Sequence, residues 1–238
     1  MQSFLTAKSR IREPEIMDDP VLDGGHHEAA LRGLSRLNYL SGSARTIWPS
    51  LAALARQLDR QQLRVLDVAT GAGDVPVRLW RMARRAGLHL EIHGVDVSPR
   101  AVEYAARRPA AEQAAIHFSV LDVLAGPLPG GFDVVTCSLF LHHLAEEQAV
   151  LLLQAMAKAT KHLVLVNDLR RSAAGLALAH LAAWTLSGSD VVRVDGPRSV
   201  RAAFTVHEAA ALARAAGLKG AIVERHWPFR FLLSWKRS

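Results

Sequence analysis

One cysteine, Cys137, stands in a chain of 238 residues. No intrachain disulfide can form, and a Cys-based metal site is not expected. Long apolar runs are missing as well. A membrane span needs about 18 apolar residues in succession, whereas the nearest stretch, Ala173 to Leu186, is shorter and holds His180. Met1 to Ile11 lacks the apolar core of a secretory leader. The expectation is a cytoplasmic protein without a membrane span. Runs of positive charge are absent too: the tightest groups are Arg84-Arg85, Arg107-Arg108 and Arg170-Arg171. The net charge of +7 is therefore scattered over arginines that stand where lysine is scarce. We read it as coding bias, so nucleic acid is not the expected partner.

What is present is alternation on a scale that fits one domain with a core. Residues 1–25 read as irregular: Glu13, Glu15, Asp18, Asp19 and Asp23 lie among prolines and glycines. This acidic stretch is either a cover folded over a bound ligand or a loose tail. A helix is expected from His26 to Leu40, with Leu31, Leu34 and Leu37 three apart, and a second from Ala44 to Leu58. Short apolar strands follow at Leu63 to Val68, Leu90 to Val95, Ile116 to Val120, Phe132 to Ser138 and His162 to Val166. Helices separate them: Val75 to Ala86, one opened by Ser98-Pro99, and Ala145 to Ala159. Such alternation implies a parallel sheet covered on both faces. Val194-Asp195-Gly196-Pro197 reads as a turn, and Thr205-Val206-His207-Glu208 as a capping box that opens a helix ending at Gly217. Gly220 to His226 and Phe229 to Trp235 then form a hairpin, which makes one late strand antiparallel. The expected division is a helical cover of the active site over 1–60 and an α/β domain over 61–238.

The strongest motif is Val65-Leu66-Asp67-Val68-Ala69-Thr70-Gly71-Ala72-Gly73-Asp74, a strand that runs through glycines into a helix. In an open α/β sheet this is a place for a ligand. A dinucleotide site would show a third glycine, but that position is Pro76. Asp67 and Asp74 would also repel a pyrophosphate. S-adenosylmethionine (SAM) carries an ammonium and a sulfonium and no phosphate, so acids suit it better. Asp96 ends the next strand and follows Gly73 by 23 residues, about the gap at which an acid meets ribose hydroxyls. Asp122 ends the third strand, where it can accept from the adenine amino group while Val123 packs on the ring.

Acids at three successive strand ends, in this order, resemble the SAM-binding motifs of class I methyltransferases over residues 63–170. The resemblance implies a doubly wound, Rossmann-like sheet of seven strands with the last antiparallel, plus N-terminal helices. It implies SAM as cofactor, with S-adenosylhomocysteine as product. The implied cofactor set is Asp67, Ala69, Thr70, Gly71, Gly73, Asp96, Val97, Asp122, Val123 and Ser138. Asp67 to Asp74 is most similar to the ubiquinone/menaquinone C-methyltransferases, and Asn38-Tyr39-Leu40-Ser41-Gly42 with Trp48 is similar to their N-terminal segment. Ala69 stands where many class I enzymes have glycine, as it often does in the quinone enzymes.

The acceptor side departs from that group, because His142-His143 follow the fourth strand. Methyl transfer to a hydroxyl requires alignment and a base, and histidine titrates in the right range. Asn167-Asp168 at the end of the fifth strand can bring a carboxylate to the same rim. A histidine pair with this aspartate resembles some natural-product sugar O-methyltransferases. His143 is slightly favoured over His142 as the base. The competing reading is that the histidines cap the next helix or line the cofactor site. No metal is expected, since adjacent residues rarely converge on one ion without a third close ligand. Arg170 and Trp184 are candidate substrate contacts on an Ala/Leu-rich cover, a segment that could equally pack on a second subunit as a homodimer. The expected function is O-methylation of a small aromatic or apolar acceptor of secondary metabolism. C-methylation of a quinone-like or polyketide ring is the alternative, and RNA or protein methylation is disfavoured because Ser138 to Leu141 replace an Asn-Pro-Pro-Tyr type motif.

Overall fold

The computed structural model describes residues 9–16, 42–107, 114–186 and 190–237. The expected helix from His26 to Leu40 and the segment Asn38 to Ser41 lie outside them.

Five strands, β1 (Gln62–Val68), β2 (His89–Asp96), β3 (Ile116–Val120), β4 (Phe132–Ser138) and β5 (Thr160–Leu169), run parallel. With β6 (Ile222–His226) and β7 (Arg230–Lys236) they form one sheet in the order β3-β2-β1-β4-β5-β7-β6. β7 is antiparallel to both its neighbours, as the terminal hairpin predicts. α1 (Ser43–Gln57) precedes β1, and between strands lie α2 (Asp74–Arg85), α3 (Pro99–Ala106), α4 (Glu146–Ala159), α5 (Ala173–Leu186), α6 (Asp190–Ala202) and α7 (Val206–Ala215). Among the described residues no helix is long and apolar enough to cross a membrane.

The central strands β1, β4 and β5 bury apolar residues on both faces, because both faces are covered. On one face, Leu63 and Val65 of β1 pack with Ile47 and Leu51 of α1 and Leu79 of α2. On the other, Leu66 and Val68 pack with Leu152, Leu153 and Met156 of α4 and Leu212 of α7. The caps read from the sequence form. Ser98 Oγ accepts from Ala101 N–H at 3.2 Å, with Pro99 at the first helical position. At α7, Glu208 N–H donates to Thr205 Oγ1 at 3.2 Å and Thr205 N–H to Glu208 Oε2 at 2.7 Å.

Two readings need correction. Residues 194–197 are not a turn: they lie inside α6, Pro197 included. A proline inside a helix removes one backbone bond. Here the segment is tied from outside, because Asp195 Oδ1 accepts Ile16 N–H at 2.9 Å and Ser199 Oγ donates to Glu15 at 2.5 Å. β5 also exceeds the expected bounds of His162 to Val166, and Asn167 and Asp168 lie within it.

Candidate active site

β1 lies between β2 and β4, so the strand order reverses at its carboxyl end, where open α/β sheets hold ligands. One cleft of about 770 Å³ opens there. Of the ten expected cofactor residues, nine line it, from Asp67 through the Asp96, Asp122 and Ser138 strand ends. The exception is Gly73. A Cβ there would stand 2.8 Å from Phe118 Cζ and 3.0 Å from Ala105 Cβ at a φ of +70°, so this glycine serves helix packing rather than ligand contact. Gly71 is the one that opens the cradle: at φ +54° a Cβ would meet nothing within 4 Å.

Asp67 is buried between Thr136 Oγ1 at 2.6 Å and Thr70 Oγ1 at 2.8 Å. Burial pushes its carboxyl up to about 6, the two hydroxyl donors opposing and Asp74 and Asp96 adding to the rise. A cation beside it would reverse that cost. Asp96 is fixed by two backbone donors, Gly71 N–H at 2.8 Å and Ser98 N–H at 2.9 Å. One lone pair stays available on each oxygen. Asp122 accepts Leu124 N–H at 2.9 Å. Val97 is exposed and Val123 buried, and both line the cleft as apolar walls for a flat ring. Ser138 also lines it, and its buried Oγ has no hydrogen-bond partner among the described residues. Anionic and orphaned polar atoms, an open glycine and apolar walls fit a cationic adenosyl group.

Ala69, Leu139 and Phe229 have φ of +54°, +58° and +47° and all line the cleft. Left-handed backbone in non-glycine residues collects at functional sites, and the value at Ala69 accounts for the glycine that many class I enzymes carry there.

The cleft continues to the histidines, which sit on a 3-10 turn, Leu141–His143. Asp168 takes His142 and not His143. Its Oδ1 is 2.6 Å from His142 Nδ1, and Oδ2 accepts His142 N–H at 3.1 Å. Burial works to raise the Asp168 carboxyl. The charge and hydrogen bond of His142 and the N–H groups of Leu169 and His142 outweigh burial and hold it below the ordinary value. An ionised carboxylate only accepts, so Nδ1 carries the hydrogen and Nε2 is left as the second site of the ring. His143 is less buried and stacks on Phe140 with centroids 6.0 Å apart.

Arg170 and Trp184 are not among the described residues that line the cleft. Arg170 lies over Phe229, and Trp184 is exposed with the Arg193 guanidinium 5.0 Å from its ring centroid. Leu178 and Ala179, earlier in α5, provide the apolar wall, together with Val200 and Phe229. Sequence reasoning missed two residues. Arg230 lines the cleft from β7, donates to Ser43 Oγ at 2.9 Å and is lowered to about 10 by burial, with Asp168 and Asp74 opposing. Glu15 is buried with Oε1 3.7 Å from His142 Nε2 and Oε2 3.8 Å from His143 Nε2. These three donors could hold a cation. The acidic composition of residues 13–23 hinted at Glu15; nothing local marked Arg230.

The methyltransferase domain family matches residues 65–162, the stretch that holds the three acids and the histidine pair. These residues are a class I SAM-dependent methyltransferase domain. The demethylmenaquinone methyltransferase of Deinococcus radiodurans is 38% identical over 96 residues, covering 40% of this chain and 38% of the relative. The chain thus matches less than half the length of that relative. Among solved structures, the SAM-dependent methyltransferase SibL superposes with a TM-score of 0.67 at 20% identity, covering 97% of this chain and 64% of that one. The magnesium protoporphyrin IX methyltransferase of Synechocystis with bound S-adenosylhomocysteine gives 0.55 at 17% identity, covering 92% and 90%. At these identities the solved structures establish the methyltransferase fold.

Proposed function

We propose that the protein transfers the methyl group of SAM to a hydroxyl oxygen of a small aromatic or apolar acceptor, with His142 as general base. One observation carries this: a single cleft runs from the three acid-tipped strand ends to the buried His142–Asp168 pair. At one end Asp67 faces the cofactor's ammonium, Asp96 its ribose, and Asp122 with Val97 and Val123 its adenine. At the other end Asp168 fixes the imidazole with Nε2 as the basic atom. Leu178, Ala179 and Phe229 give the acceptor an apolar bed. The sulfonium is a good leaving group, so alignment and proton removal are the protein's main tasks.

C-methylation of a quinone-like ring is the second reading, favoured by the likeness to demethylmenaquinone methyltransferase in the cofactor half. An activated phenol would lose its proton to the same base. The test is incubation with methyl-labelled SAM and a small-molecule extract of the source, with the product located by mass spectrometry and NMR. Label on oxygen supports the leading reading. Label on ring carbon replaces it with the second, and label only in added RNA or protein overturns both.

A further inference from the structure

Residues 9–16 are seated on the active site. Arg10 Nε donates to Ala202 O at 2.6 Å, its Nη2 donates to His142 O at 2.9 Å and Leu144 O at 2.6 Å, and its guanidinium lies 3.7 Å from the Phe204 ring centroid. The segment is therefore tied to the same turn that carries the histidines. Ile11 N–H donates to Arg201 O at 3.1 Å and Ile16 N–H to Asp195 at 2.9 Å. Glu13 pairs with Arg198 at 3.2 Å and Arg201 at 3.0 Å. Both ends are thus pinned to α6, and Glu15 is delivered between them into the cleft. Ser199 Oγ donates to Glu15 Oε1 at 2.5 Å, and one carboxylate oxygen stands toward each imidazole.

We propose that Glu15 is a positioning residue of the base: its carboxylate is the charge partner of the imidazolium that forms when the acceptor is deprotonated. The inference rests on the base reading above. In the step, the acceptor O–H bond breaks and its proton goes to imidazole nitrogen. The O–CH3 bond forms as the S–CH3 bond breaks, and the bonding pair returns to sulfur as a neutral thioether. Positive charge leaves the sulfonium and appears on the imidazole. Asp168 holds the far nitrogen, while Glu15 faces the near one, where the new charge arises. Among the described residues, the other charged groups near the pair are Arg10, bonded to the His142 carbonyl, Arg12 and Arg230 on the cleft wall, the latter interacting with Asp168, and Asp195 and Arg198 on α6. A divalent cation is the rival occupant of the same donors. Two ligands of a tetrahedral zinc stand roughly 3.3 Å apart, from bond lengths of about 2.0–2.1 Å. The observed N···O separations of 3.7 and 3.8 Å are wider, and Ser199 already engages Oε1.

The full chain, labelled with 15N-histidine and saturated with S-adenosylhomocysteine, is titrated by NMR as wild type, Glu15→Gln and Glu15→Asp. In Glu15→Gln the midpoints of both imidazoles should fall by half a pH unit or more, and Glu15→Asp should recover part of that shift. Labelling of the extract by methyl-labelled SAM should drop about tenfold or more in Glu15→Gln, with S-adenosylhomocysteine affinity within twofold of wild type. Unshifted imidazoles in Glu15→Gln beside an inactive His142→Ala overturn this inference alone. Full labelling by His142→Ala overturns the base reading and the purpose of Glu15 with it. Micromolar binding of ZnCl2 or MgCl2 in calorimetry, lost in both Glu15→Gln and His143→Ala, would make the trio a metal site and overturn the proposal.

Discussion

Two adjacent histidines have different surroundings, and the difference assigns their work. His142 is buried with a carboxylate on Nδ1, whereas His143 is partly open and stacked on Phe140. His142→Ala should lower turnover by roughly a hundredfold or more, the usual contribution of a general base, with cofactor affinity retained. His143→Ala should lose less. Labelled-methyl transfer and calorimetry on the two variants check this, and the reverse order would return the base to His143. Asp96 has its backbone donors in place before any ligand arrives. Asp96→Ala leaves ribose hydroxyls without an acceptor and should weaken S-adenosylhomocysteine binding by about 1–3 kcal/mol, read by calorimetry.

At the scale of elements, the β1–α2 turn separates two glycines with similar φ. Gly73→Ala drives a methyl into Phe118 and Ala105 and should cost about 1–3 kcal/mol by overpacking, seen as a lower melting temperature. Gly71→Ala has open space, so only the left-handed backbone penalty of about 1–2 kcal/mol applies to stability. Its methyl enters the cofactor's path, and S-adenosylhomocysteine affinity should fall out of proportion to the change in melting temperature. α6 teaches a related lesson. Val194 to Pro197 has the composition of a turn, yet hydrogen bonds from Ile16 and to Glu15 hold the segment as helix.

For the whole molecule, two buried aspartates pull the pH profile of stability in opposite directions. The raised Asp67 holds its proton more tightly when folded. Its contribution is complete below its unfolded value near 3.8 and is lost as pH rises through about 6, on the order of 3 kcal/mol. Asp168 is depressed, so its contribution is present above the unfolded value and lost as pH falls through the folded one. Thermal unfolding of the ligand-free protein, followed by circular dichroism, should show stability falling between pH 4 and 6. On the proposed placement of the cofactor ammonium beside Asp67, saturating S-adenosylhomocysteine should flatten that fall by favouring the ionised carboxylate. The same pH dependence in Asp67→Asn as in wild type would remove Asp67 from its assigned role.

The sequence by itself determined the alternating sheet, the antiparallel finish, the capped starts of α3 and α7, and the acids Asp67, Asp96 and Asp122. These follow from local rules: strand periodicity, cap chemistry, and the fact that parallel strand ends share one rim. Tertiary structure decided which histidine Asp168 holds, that Gly73 packs while Gly71 opens, and that Leu178 rather than Trp184 walls the cleft. It also brought Glu15 and Arg230, 215 positions apart in the chain, to the same cleft. The direction of an imidazole within a turn, and the meeting of an N-terminal segment with a distant helix, depend on packing between elements that no local pattern encodes.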